Sequence, residues 1–134
     1  MNNSDNTDDF KNLNLNVSLK DGDGFDHEVK FFQNAESLLN AIPTEAPVFL
    51  DIDLDFFITE ETVNLGEDKA IPKADEEIES MLARKGPLMD KLWDRTVGLT
   101  IALEPTYCGG FHRSLHILEI VNQQLFHGGL WAGA

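Results

Sequence analysis

Residues 48–57, Val-Phe-Leu-Asp-Ile-Asp-Leu-Asp-Phe-Phe, constrain the fold more than any other stretch of this chain. The run begins apolar and then alternates aspartate with large apolar side chains. Side chains two apart on a strand share a face, so Asp51, Asp53 and Asp55 are expected on one side. Ile52, Leu54 and Phe56 are expected on the other, in the core. The preceding Pro47 and the uninterrupted apolar start suit a central strand of an α/β sheet. The carboxyl end of such a strand is where open α/β sheets place their ligands.

The flanking sequence supports that class. Leu13, Leu15, Val17 and Leu19 alternate with polar residues as a half-buried strand, and residues 28–32 can close a hairpin after Asp21-Gly22-Asp23-Gly24. A short helix is expected over 33–41 and another over 75–83. Gly86-Pro87 then interrupts the chain, and Leu88, Met89, Leu92 and Trp93 form a further apolar face, read as core. Residues 96–103 read as a strand, 104–110 as a loop, and 111–126 as the clearest helix. Residues 58–73 have no period and read as an acidic loop. The expected organisation is a disordered acidic N-terminus over 1–12, a partial α/β domain over 13–126 and a flexible tail over 127–134.

Charge and composition remove several functions. The 134 residues carry 24 acids against 10 bases, a net charge of -14. A nucleic-acid footprint needs clustered Lys and Arg, so that class is excluded. No apolar run approaches the roughly 20 residues of a membrane span. The polar, acidic start is neither a signal peptide nor a basic presequence, and a cytoplasmic protein is expected. The one cysteine, Cys108, makes no internal disulfide or paired zinc motif, and a small buried thiol is expected.

The aspartates carry the chemistry. Three like charges about 7 Å apart on one face repel, and a hard divalent cation relieves them. Asp51 and Asp53 are the stronger metal-ligand candidates. Asp55 is a third ligand, an outer group or a cap. The plain alternative is a strand passing from core to solvent. Asp21-Gly22-Asp23-Gly24 lacks the ligand spacing of a calcium loop and reads as a turn. His112 and His116 stand four apart on the last helix with Glu119 nearby, and are expected to be surface or packing histidines.

An apolar strand ending in Asp-x-Asp also resembles aspartyl-nucleophile phosphatases, with Asp51 as nucleophile and Asp53 handling the proton beside magnesium. Asp55 and the bulky Phe56-Phe57 depart from that pattern. VFLDIDLDFF more closely resembles the metal-binding strand of the peptide-arginase-like family, a branch of the arginase and histone-deacetylase superfamily. TIALEPTYCGGFHRSLHILEIVNQQL resembles the end of such a domain. The similarity spans roughly residues 45–126, with DIDLDFF its distinctive core.

The resemblance implies a three-layer α/β/α arginase-like fold, here truncated to a C-terminal half. It implies a binuclear manganese site, with another divalent metal as an alternative, and hydrolysis of peptidyl arginine to peptidyl ornithine and urea. Asp51 and Asp53 correspond to the paired metal-holding aspartates. Glu104 corresponds to a guanidinium-binding carboxylate, with Gly109 and Gly110 in the substrate loop. The family's upstream His and Asp-x-His-x-Asp cluster has no counterpart, since the only histidine before Asp51 is His27. Three functions follow: an incomplete metal-dependent hydrolase acting on a peptide and completed by a second copy or a complementary chain; a non-catalytic, partner-binding remnant; or a magnesium-dependent phosphatase-like protein.

Overall fold

The computed structural model describes residues 17–20, 26–64 and 67–132. The chain divides into two compact units between Leu38 and Leu39. In the first, β1 (Val17–Lys20) and β2 (Asp26–Val29) form an antiparallel hairpin pairing Val17 with Val29 and Lys20 with Asp26. The expected strand beginning at residue 13 is described only from Val17, and the expected disordered segment 1–12 lies outside the described residues. Helix α1 (Ala35–Ala41) starts where Asn34 Oδ1 accepts the Ser37 N–H at 2.9 Å, a side-chain cap on a free amide.

The second unit combines helices with a small parallel sheet, an α/β arrangement. Strand β3 (Val48–Asp53) runs parallel to β6 (Thr96–Ala102), with Asp51 opposite Thr100 and Asp53 opposite Ala102. Between them lie the antiparallel β4 (Ile58–Asn64) and β5 (Glu67–Pro72), then α2 (Asp75–Leu82) and α3 (Met89–Leu92). Helix α4 (Phe111–Phe126) follows β6. The expected acidic loop over 58–73 is therefore a hairpin. Its backbone ladder needs no apolar alternation, which is why periodicity overlooks it.

The core is built by the helical spacing of Ile117, Leu118, Val121 and Leu125 on α4, packed with Ile78 and Leu82 of α2 and with Ile52 of β3. Burying each such side chain contributes about 1.5–3 kcal/mol. Leu50, Leu99 and Ile101 pack against this cluster from one face of the parallel pair. On the opposite face Phe49 is 82% exposed, with Asp51, Asp53 and Thr100 also exposed.

The end of β3 departs from the expected extended run. After Asp53 the chain tightens into a 3-10 turn, Leu54–Phe57. Residues three apart eclipse in that geometry, so Leu54 and Phe57 both enter the core. Phe56, expected inside, is 64% exposed instead.

Helix α4 ends at His127, which takes left-handed backbone at φ 51°, and the Gly128 N–H returns to Asn122 O at 3.1 Å. This wrapped C-terminus satisfies a carbonyl that the helix leaves free. The buried Asn122 also accepts the Leu130 N–H at 2.9 Å through Oδ1. The stretch expected as a flexible tail is thus held as far as Leu130. No helix among the described residues is long and apolar enough to cross a membrane.

Candidate functional site

Parallel pairing brings the carboxyl ends of β3 and β6 to one edge, so residues just beyond each strand become neighbours. Asp51 and Asp53 share the uncovered face of β3, as their spacing predicts. The Thr100 hydroxyl donates to Asp51 Oδ1 across the two strands. Asp53 is the last strand residue and precedes the 3-10 turn, but its side chain makes no capping bond there.

Asp55 goes elsewhere. The turn at Leu54 takes it off the strand face, and it sits half-buried. This corrects the expectation of three aspartates on one face. A strand alternates only while it remains extended, and β3 stops at Asp53.

Glu104 follows β6 with φ 41°, a left-handed conformation uncommon for a residue with a side chain. Its carbonyl accepts the Tyr107 and Cys108 N–H groups at 3.1 and 2.9 Å, which closes the loop back on itself. Gly109 has φ 82° and lies against Arg113, and Gly110 has φ 122° and donates its N–H to Pro105 O at 2.8 Å. The Gly pair therefore turns the chain into α4, whatever it offers to a ligand.

Cys108, in this loop, is fully buried. Burial pushes its thiol above the ordinary range, and the negative charges of Asp55 and Glu104 push the same way. The Arg113 guanidinium opposes them. A thiol held in its neutral form is a poor nucleophile, in keeping with the reading of Cys108 as a packing residue.

Arg113 is the residue that sequence reasoning overlooked. Its Nη1 donates to Ala70 O at 2.9 Å, which ties β5 to the start of α4. One signal was present: Arg113 is the only Lys or Arg after Arg95. His112 and His116 are both exposed, and His116 Nε2 contacts Asp75 Oδ2 at 2.9 Å. With Ile78 and Ile117 they line a cavity of about 250 Å³.

Among the described residues no three His, Cys, Asp or Glu side chains converge on a metal position. Asp51 and Asp53 lie on one exposed face of β3. Both are hard oxygen donors on one accessible face, suited to a divalent ion that keeps several of its own waters. Asp51 and Asp53 therefore share the exposed face of β3, and Asp55 leaves that face in the 3-10 turn. Compared with family models, curated proteins and solved structures, the chain finds no match in any of the three.

Proposed function

We propose that the carboxyl edge of β3 and β6 is the carboxylate half of a metal-dependent guanidinium hydrolase site. In this reading the second unit is part of a truncated three-layer α/β/α domain resembling the peptide-arginase-like family. Its substrate is a peptidyl arginine, and the products are peptidyl ornithine and urea. The observation that carries the reading is the pair Asp51 and Asp53 on one uncovered strand face, with Glu104 just beyond the adjacent parallel strand.

Each residue has a chemically distinct task. Asp51 and Asp53 hold a divalent cation, Mn2+ by the resemblance, through oxygen donors. The bound ion supplies Lewis-acid activation of water. Glu104 opposes the guanidinium charge and matches its planar donors. Water adds to the guanidinium carbon, and the bond to the ornithine side-chain nitrogen breaks. The further metal donors come from a second copy or a complementary chain.

Mn2+ titration of the full chain, followed by electron paramagnetic resonance, tests the reading. Saturable binding is expected, with loss in the Asp51→Asn/Asp53→Asn double variant. Absence of saturable binding, or equal binding by the double variant, overturns it.

A second reading rests on Phe49. Parallel sheets are ordinarily covered on both faces, yet this ring is 82% exposed on the face away from the helices. A non-catalytic protein that packs a partner over Phe49 accounts for that exposure without any metal. Sedimentation of the wild type and Phe49→Asp distinguishes it: a self-association abolished by the substitution and indifferent to chelator favours the partner-binding reading.

A further inference from the structure

We infer that the uncovered face of the β3 and β6 pair docks a cationic amphipathic helix of a partner protein. That helix lays an apolar side chain on Phe49 and sets lysine or arginine against Asp51 and Asp53, which gives a chemistry to the partner-binding reading on which it rests.

Only one face of the parallel pair is filled. Leu50, Leu99 and Ile101 pack against the core on the inner side. The other side carries Phe49, Asp51 and Asp53 of β3, opposite Gly98, Thr100 and Ala102 of β6. The Phe49 ring leans over Gly98, and the small Thr100 and Ala102 leave a low strip beside the two aspartates. Parallel strands are ordinarily roofed by helices on both faces, so a helix is the element that this side lacks.

Charge selects the kind of helix. Phe49 is 82% exposed, and both aspartates are exposed with it. Neither strand contains a basic residue, and among the described residues neither carboxylate has an ion-pair partner. The Thr100 hydroxyl donates to Asp51 but leaves its charge in place. A wholly apolar helix would cut both carboxylates off from water without compensation. A second copy of this chain, at a net charge of -14, is repelled. Basic side chains compensate both aspartates, and their long stems cover the apolar surface between them.

Spacing adds a pattern. Alternate residues on a strand stand about 6.6 Å apart, and three or four helical residues rise about 4.5–6 Å. Phe49, Asp51 and Asp53 therefore meet one apolar and two basic side chains on one helical face, spaced three or four apart.

The probe is an alanine-rich peptide of about 16 residues, with Leu, Lys, Lys and Leu in that order at intervals of four, three and four. This order presents the pattern in either direction. Binding to the full chain is read by fluorescence anisotropy with chelator present, so no metal contributes. The patterned peptide should bind more tightly than one of the same composition with its Leu and Lys scattered around the helix. Asp51→Asn/Asp53→Asn should weaken binding about tenfold, the combined effect of two exposed ion pairs. Phe49→Ala should weaken it about tenfold through lost apolar burial. Glu76→Gln/Glu79→Gln removes the same charge from exposed positions on α2 and should change little. Asp51→Lys/Asp53→Lys should instead prefer a peptide carrying Glu in place of Lys, a gain that misfolding does not produce.

Equal loss in the two neutralised variants, or equal binding of the patterned and scattered peptides, reduces the attraction to overall charge and overturns the docking helix. A Phe49→Ala effect with none from Asp51→Asn/Asp53→Asn overturns the cationic partner alone and leaves Phe49 as a contact. Binding indifferent to Phe49→Ala overturns the partner-binding reading as well. A chain that binds neither peptide overturns the docking helix. So does a dimer in sedimentation that Phe49→Asp abolishes, because a second copy is then the occupant.

Discussion

The ring of Phe49 occupies the space that a side chain at Gly98 would need: a Cβ built there meets ring atoms Cδ1 and Cε1 at 2.6 Å. The two residues face each other across the parallel pair. Gly98 is thus a shallow seat for an aromatic ring on the uncovered face. Gly98→Ala should be nearly neutral in the wild type, because the exposed ring can swing aside and the alanine lowers the entropy of the unfolded chain. In a Phe49→Ala background the same change should stabilise by about 0.4–1 kcal/mol. Urea denaturation of the four proteins in this cycle measures the coupling, and equal effects in both backgrounds would remove the seat.

Gly109 and Gly110 should differ sharply when replaced. A Cβ at Gly109 meets Arg113 Nη1 at 2.7 Å and Ala70 Cβ at 3.3 Å, whereas Gly110 has open space around it. Both take positive φ, so each alanine carries backbone strain of about 1–3 kcal/mol. Gly109→Ala should cost more than Gly110→Ala because it also displaces the guanidinium from Ala70 O. Chemical denaturation should rank them in that order. The reverse order would mean that Arg113 yields without cost.

Arg84 holds the end of α4. Its Nε and Nη2 donate to Leu125 O at 3.0 and 2.5 Å, and its guanidinium lies 4.8 Å from the centre of the Trp93 ring. A cation at a helix C-terminus satisfies a free carbonyl and complements the helix dipole. Arg84→Ala should destabilise by about 1.5–3 kcal/mol, the range for hydrogen bonds to charged groups. Arg84→Lys should recover only part of this, since lysine has no planar fork. Full recovery by lysine in thermal melts would reduce the role of Arg84 to charge.

Cys108 gives the protein an alkaline limit. Its folded-state thiol is raised by burial, then by Asp55 and Glu104. Below the ordinary thiol pKa of about 8.5 both folded and unfolded chains are protonated there, and the contribution is fully present. As pH rises the unfolded chain ionises first, so stability is lost through the folded-state value. The wild type should therefore lose stability relative to Cys108→Ala as the pH is raised through and above about 8.5. Parallel urea midpoints for the two proteins across that range would contradict the shift.

Local chemistry determined much of this architecture in advance. The apolar spacing of Ile117, Leu118, Val121 and Leu125 is enough to place α4 over 111–126, because one helical face must be buried. The alternation through Asp51, Ile52 and Asp53 likewise assigns each side chain to a face while β3 stays extended. What happens at Leu54 depends on the surrounding core. Packing takes up Leu54 and Phe57 together, which forces the 3-10 turn, exposes Phe56 and moves Asp55 away from the other two aspartates. The hairpin over 58–72 is held by backbone pairing, which leaves little trace in side-chain pattern. The hydrogen bonds from Arg113 to Ala70 O and from Thr100 to Asp51 join residues far apart along the chain. Only the parallel register of β3 and β6 and the packing of α4 decide such encounters, since neither propensity nor periodicity carries distances between separate elements.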